Sequence, residues 1–258
     1  QWGQQQLSSP YYMLSIADHG DGVRGIGWDH TSDRNGSAYL TADELRQAVT
    51  MGAVAPIQVL VLDACSMGLL DVGYELRGQV EYVVTSQYLG WNFFAYDLYA
   101  AGVGEGTGPE QMARAVVEQY HRLARERNLP HTIGAWRRAR VEAVKTGLDS
   151  LSVLLRAWVS QDDGSGTRHG YLEKLRAESQ HFDSDGSYDL SPLDSYVDLV
   201  DWATKVQTDT AGLLTDDIKA AAGRLLTAYC VMREAIRVMI VDSLVVGALQ
   251  VNCYVLGC

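Results

Sequence analysis

The apolar run at residues 59–62, within a predicted strand at 57–62, is the feature that most constrains the fold of this chain. A short, continuous apolar run is typical of a strand that is buried on both faces of a parallel sheet. The run is followed by Asp63, Ala64 and Cys65, and we expect a helix to begin at about Ser66. Ligands bind at the carboxyl ends of strands in open α/β sheets, and a helix N-terminus stabilises a nearby thiolate. This placement favours Cys65 as a nucleophile.

A histidine follows a second predicted strand. The apolar residues 11–17 are followed by Asp18, His19 and Gly20. If the two strands are parallel neighbours, His19 and Cys65 meet at one edge of the sheet, where a histidine can transfer the proton for a cysteine nucleophile. A lone cysteine is more often a small buried hydrophobe, so the interpretation depends on this pairing.

The remaining pattern up to about residue 145 alternates between strands and helices. Thr41 and Glu44 form a capping box that predicts a helix ending near Met51. Further predicted elements are a strand at 79–86, a helix at 110–127 and a strand at 131–136. This alternation predicts an α/β fold with a mostly parallel sheet flanked by helices.

The second part of the chain has a different pattern. Helices are predicted near 146–161, 171–181, 192–207 and 213–241, and a strand is predicted at 251–258. We therefore expect a core at residues 1–145 and a mainly helical region at 146–258 that ends in a strand.

Charge and composition exclude several classes of function. The formal net charge is −11, which disfavours nucleic acid as a partner and attracts cationic substrates. We find no apolar stretch of about 20 residues that would cross a membrane. The four cysteines lack zinc-type spacing, so no metal ligand is assigned.

The chain resembles the clostripain family of cysteine peptidases, which are relatives of caspases. The resemblance rests on an ordered series of motifs between about residues 11 and 205. The main motifs are Asp-His-Gly at 18–20, Gly-Ile-Gly-Trp-Asp at 25–29, Leu-Thr-Ala-Asp-Glu-Leu at 40–45 and Leu-Asp-Ala-Cys-Ser-Met-Gly at 62–68. Similar segments follow at 72–76, 82–86 and 198–202.

The resemblance implies a caspase-like fold and a peptidase that acts on polypeptide substrates. It implies a dyad of His19 and Cys65, with the backbone N–H groups of Gly20 and Cys65 as oxyanion donors. It also implies cleavage after Arg or Lys, with Asp63 in the S1 pocket. At 87 and 88 this chain has Gln and Tyr where the family more often has glutamates.

Two residues are candidates for the position of the second acid of the S1 pocket. Either Asp97 or the neutral Asn92 occupies its position, so the strictness of the preference for basic residues stays open.

Other properties follow from the resemblance as expectations. The chemistry requires no cofactor, although calcium occurs in the family; residues 183–189 resemble a calcium loop but lack its closing Glu, which favours a solvated loop. Arg34 is the candidate for cleavage within the chain during maturation. The family also implies strands before residue 11, which this sequence lacks, and a secreted or cell-envelope location.

Two alternatives remain open from the sequence. The first is a catalytically inactive caspase-like scaffold, and the second is a different Cys-His hydrolase or transferase. His30 competes with His19 as the base, but its polar surroundings favour an exposed loop. The oligomeric state is not predicted.

Overall fold

A computed structural model describes residues 2–29, 31, 38–93, 95–129, 131–182 and 195–234. Within it, the residues up to Ala139 form one compact unit and Arg140–Met232 form a second. The predicted boundary at residues 145 and 146 stays a prediction.

The first unit contains the sheet. Its elements in chain order are α1 (Trp2–Gln6), β1 (Met13–Ala17), β2 (Ile26–Asp29), β3 (Ala38–Leu40), α2 (Ala42–Gly52), β4 (Ile57–Asp63), α3 (Leu70–Leu76), β5 (Val80–Ser86), α4 (Tyr96–Ala101), α5 (Pro109–Glu126) and β6 (Ile133–Arg137). The strands β2 and β3 form a separate antiparallel pair, which the sequence pattern did not predict.

The main sheet confirms the predicted fold class. Its strand order is β1-β4-β5-β6, and β1, β4 and β5 are parallel while β6 is antiparallel to β5. Strand β4 lies between β1 and β5, and nearly all of its side chains are buried, as expected for an apolar strand with helices on both faces.

Alternate residues of β4 contribute to two hydrophobic clusters. Leu60 and Leu62 belong to one cluster, which also contains buried residues of α2 and α3. Val59 and Val61 belong to the other, together with buried residues of α4 and α5. Because successive side chains of a strand point to opposite faces, one apolar run supplies the centre of both cores.

Local signals explain the limits of α2 and α5. The Thr41 hydroxyl accepts a hydrogen bond from the Glu44 N–H at 3.2 Å, and the Glu44 carboxylate accepts one from the Thr41 N–H at 3.0 Å. This is the predicted capping box. Pro109 begins α5, where its missing N–H carries no penalty, and the Gln111 side chain accepts from the Gly108 N–H.

The second compact unit is mainly helical. It contains most of α6 (Arg138–Val159), then α7 (Thr167–Ala177), β7 (His181–Phe182), β8 (Tyr196–Val197), α8 (Leu199–Thr208) and α9 (Asp216–Glu234). The expected start of α6 near 146 was wrong, because helical structure begins directly after β6. The paired strands β7 and β8 were not predicted, and the C-terminal strand expected at 251–258 lies outside the described residues.

None of the helices in the described segments is both long enough and apolar enough to cross a membrane.

The capping box predicts a local stability effect. We expect Thr41→Ala to lower the free energy of unfolding by about 1 kcal/mol, because it removes the acceptor for an N–H in the first turn of α2. Urea denaturation measures the change. Thr50→Ala is the matched control: Thr50 bonds only the Arg46 carbonyl within the same helix, and alanine is the better helix former. Equal losses in both variants would contradict the capping argument.

Candidate active site

The register between β1 and β4 brings two chain segments to one edge of the sheet. Ala17 is paired with Asp63, and His19 and Cys65 each follow two residues later. Gly20 packs directly on the cysteine turn, since a Cβ added to it would lie 2.9 Å from the Ala64 Cβ and would clash with the Cys65 carbonyl oxygen. Cys65 is a free, half-buried thiol, and His19 is exposed.

The segment after His19 folds back on β2. The His19 carbonyl accepts from the Gly27 N–H at 3.0 Å, and the Asp21 N–H donates to the Gly25 carbonyl at 2.9 Å. These two bonds flank an antiparallel bridge between Gly20 and Ile26. The two residues therefore form a non-hydrogen-bonded pair, in which the Gly20 N–H points away from Ile26. Among the described residues, the N–H groups of Gly20 and Cys65 have no acceptor.

The helix that we expected from Ser66 was wrong. Ser66 has a φ of 57°, outside the helical region, and α3 begins only at Leu70. The N–H of Ser66 donates to the Tyr88 carbonyl at 2.8 Å, and that of Gly68 donates to the Ser86 carbonyl at 2.7 Å. Because these N–H groups bond to the end of β5, Cys65 lies in a turn without an adjacent helix N-terminus.

The segment after β5 contacts the cysteine sulfur. The Gly90 N–H donates to Cys65 Sγ at 3.3 Å. The backbone of Gly90 also lies close to this turn, since a Cβ added there would be 2.8 Å from the Ala64 carbonyl carbon. Residues 86–91 therefore contact Cys65 from the β5 side of β4, whereas His19 and Gly20 follow β1 on the other side of β4.

Two hydroxyl groups hold this segment in place. Thr132 Oγ1 accepts from the Tyr88 N–H at 3.0 Å and lies 3.0 Å from Ser86 Oγ. Tyr120 Oη accepts from the Trp91 N–H at 2.5 Å. Neither residue was predicted from the sequence, because a single threonine or tyrosine far along the chain carries no local signal of such a contact.

Asp63 lies at the end of β4 and is half-buried. The Tyr96 hydroxyl donates to Asp63 Oδ2 at 3.1 Å. Burial raises the pKa of the Asp63 carboxyl, and the hydrogen bond from Tyr96 opposes that shift. Burial also raises the pKa of Tyr99 and of Tyr120, and the charge of Asp63 adds to both shifts. Asp63 is thus a carboxyl group among tyrosines.

Asp97 occupies a different position from Asp63. It lies in the first turn of α4 and is exposed. The residue of α4 that bonds to Asp63 is Tyr96, which the sequence analysis did not consider. Asn92, the alternative to Asp97, is also exposed.

Two histidines of the first unit, His121 and His131, form a pair. His121 Nδ1 and His131 Nε2 are 2.7 Å apart, and His121 is buried. Burial lowers the pKa of His131, while its contact with the Leu129 carbonyl opposes that shift. This contact connects α5 with the segment that contains Thr132.

No group of three or more His, Cys, Asp or Glu side chains suited to a metal ion occurs among the described residues. The predicted calcium-like run at 183–189 lies outside those residues, as do Arg34 and His30. Calcium ligands are therefore not assigned, and no chemical step is derived through a metal.

Comparisons with known proteins agree with this architecture. The profile described as the clostripain family matches residues 2–235. The search of curated proteins gave no match. Among solved structures, the chain is similar to a secreted cysteine protease from Bacteroides thetaiotaomicron, with 15% identity, a TM-score of 0.53 and coverage of 87% of this chain and 59% of that one.

It is also similar to an inactive zymogen protease from Parabacteroides distasonis, with 18% identity, a TM-score of 0.51 and coverage of 86% and 55%. The chain spans less than two thirds of the length of either protein. At these identities the likeness shows the fold.

The raised pKa of Asp63 predicts a pH-dependent cost to stability. Above the folded pKa the buried carboxylate destabilises the native state, whereas below the unfolded value of about 3.9 both states are protonated and the cost disappears. We expect Asp63→Asn to melt at a higher temperature than the parent protein at pH 7.

The two melting temperatures should converge near pH 3.5. Differential scanning calorimetry across this range measures the effect, and Asp97→Asn, at an exposed carboxylate, is the matched control. A lower melting temperature for Asp63→Asn at pH 7 would contradict the prediction.

Proposed function

Because this chain belongs to the clostripain family of cysteine peptidases, we propose that it hydrolyses peptide bonds with Cys65 as nucleophile and His19 as general acid and base. The observation that carries the proposal is the parallel register of β1 and β4, which places both residues at the same edge of the sheet. The contact between Gly20 and the Cys65 turn supports it.

The proposed mechanism has two stages. The Cys65 thiolate attacks the scissile carbonyl carbon, and His19 supplies a proton to the amine as the C–N bond breaks, which leaves a thioester on Cys65. His19 then takes a proton from water as the water attacks the thioester, which breaks the C–S bond, releases the carboxylic acid product and returns Cys65 to the thiolate that began the cycle.

The oxyanion of each stage requires donors. The N–H groups of Gly20 and Cys65 are suited to this role, since neither has an acceptor among the described residues. Two fixed backbone donors of this kind stabilise the negative charge that develops on the carbonyl oxygen. No helix begins directly at Cys65, since α3 begins at Leu70. We therefore assign the electrostatic stabilisation of negative charge in the site to these two N–H groups and to the Gly90 N–H.

We further propose that the substrate has a basic residue at P1, the position before the scissile bond. Asp63 is two residues from Cys65 in the chain, and its half-buried carboxylate would pair with the cation. Asp97 is the second proposed acid of this S1 pocket. The net charge of −11 favours the approach of cationic peptides.

Two related properties are part of the proposal. Secretion is supported by the description of the Bacteroides relative as a secreted protease. Maturation by cleavage after Arg34 is proposed from the zymogen state of the Parabacteroides relative and from the basic residue itself.

Hydrolysis of fluorogenic peptides that differ only at P1 tests the function. The panel contains Arg, Lys, Asp, Asn and Ala at P1, and each is measured with and without calcium. We expect turnover after Arg or Lys, none in Cys65→Ala, and a loss of about 10³-fold in kcat/KM in His19→Ala. His169→Ala is the matched control, because His169 is another exposed histidine.

Covalent labelling separates the proposal from its alternatives. An acyloxymethyl ketone with a basic P1 residue should label the parent protein and should not label Cys65→Ala. An inactive scaffold would show neither labelling nor turnover. A transferase would be labelled but would require an added acyl acceptor for product formation.

The hydroxyl contacts of Thr132 predict a positioning effect. We expect Thr132→Val to lower kcat/KM by about tenfold or more, because the segment that bonds Cys65 Sγ loses its anchor and small misplacements are costly. Thr132→Ser keeps the hydroxyl and should restore activity. Steady-state kinetics measures both variants, and equal activity of Thr132→Val and Thr132→Ser would contradict the prediction.

A further inference from the structure

Two tyrosines of α4, Tyr96 and Tyr99, differ in the hydrogen bonding of their hydroxyl groups. The Tyr96 hydroxyl donates to Asp63 Oδ2 at 3.1 Å. The ring of Tyr99 lies edge-on to that of Tyr96, with centroids 5.6 Å apart. Both tyrosines are on α4, and their spacing of three residues places them on one face of the helix.

The Tyr99 hydroxyl is an unsatisfied polar group. Tyr99 is 1% exposed, and its Oη has no hydrogen-bond partner among the described residues. Tyr99 packs in the hydrophobic cluster that contains Val59 and Val61, and Asp63 follows these two residues on the same face of β4. A buried hydroxyl without a partner costs about 1–3 kcal/mol, and a ligand that supplies a hydrogen bond removes this cost.

We propose that the site prefers lysine to arginine at P1, with the lysine ammonium bound by the Asp63 carboxylate and by the hydroxyl oxygens of Tyr96 and Tyr99. This inference rests on the proposed function, because it specifies the residue that the S1 pocket accepts.

The two cations need different acceptors. An ammonium is compact and has three N–H donors that point in different directions, so three converging oxygens match it. A guanidinium is planar and binds best when two parallel N–H groups reach both oxygens of one carboxylate. The Tyr96 hydroxyl already donates to Asp63 Oδ2. It therefore competes with the second N–H group of a guanidinium for that oxygen.

Asp97, the second proposed acid, does not remove this difference between lysine and arginine. Asp97 is exposed, and the residue that α4 presents to Asp63 is Tyr96. At Asp63, arginine would therefore meet a carboxylate whose second oxygen is shared with Tyr96. Lysine needs only one carboxylate oxygen and can use both hydroxyls as acceptors.

Kinetics with a matched pair of peptides tests the inference. The peptides differ only in Lys or Arg at P1, and a third has Ala. We expect kcat/KM for the Lys peptide to exceed that for the Arg peptide by about tenfold. Tyr96→Phe should lower this ratio about tenfold, because it removes an acceptor for the ammonium and frees Asp63 Oδ2 for the guanidinium.

Two further variants test whether the change in the Lys-to-Arg ratio is specific to the tyrosines near Asp63. Tyr99→Phe should lower kcat/KM for the Lys peptide and leave that for the Arg peptide nearly unchanged. Tyr11→Phe is the control, because Tyr11 precedes β1 at the opposite end of the strand from His19 and should keep the parental ratio. Circular dichroism checks that each variant folds.

Binding to Cys65→Ala gives a readout that is independent of turnover. Calorimetry should show tighter binding of an Nα-blocked lysine amide than of the matching arginine amide, and Tyr96→Phe in this background should remove the difference. Equal or tighter arginine binding would overturn the inference.

The failure of the inference can be distinguished from the failure of the proposed function. Turnover of Arg peptides equal to or faster than that of Lys peptides, or an unchanged ratio in Tyr96→Phe, overturns the lysine preference and leaves the peptidase with a basic P1 residue. Turnover of the Ala peptide alone overturns the acidic pocket and the inference together. Absence of turnover and of labelling overturns the peptidase as well.

Discussion

The parallel pairing of β1 with β4 is the interaction on which the rest of the site depends. Pairing Ala17 with Asp63 sets the positions of the histidine and cysteine segments, and it also places Gly20 against the turn. A shift of one residue in this register would reverse the faces of β1 and would move His19 away from Cys65. Successive buried side chains of β4 belong to two different cores, and this packing opposes such a shift. The packing of the sheet therefore also fixes the geometry of the proposed chemistry.

The cysteine turn shows how a site can be built without the usual helix. The N–H groups of Ser66 and Gly68, which would begin a helix, instead bond to carbonyls at the end of β5. As a result, the donor to the sulfur comes from Gly90, and its position depends on the hydroxyls of Thr132 and Tyr120. The environment of the thiol is thus determined by single directed hydrogen bonds from distant parts of the chain rather than by a helix dipole.

Sequence reasoning was most successful where the signal is local or periodic. The apolar run of β4, the capping box of α2 and the helical period of α5 each predicted the observed element. It failed at Ser66, because nothing in the local sequence indicates that β5 offers better acceptors than the next turn of a helix. Tyr96 was missed for a related reason: its contact with Asp63 joins α4 to β4, and tertiary contacts of single polar side chains leave no pattern in the chain.

All the contacts that define the cysteine turn join residues far apart in sequence. The pairs are Ala17 with Asp63, Cys65 with Gly90, and Tyr88 with Thr132. Contacts of this kind require the closure of long loops, so we expect them to form after the local helices and turns. A partly folded chain has the thiol but not its partners. For the proposed peptidase, the capacity for chemistry would therefore arise only when these segments of the sheet have assembled.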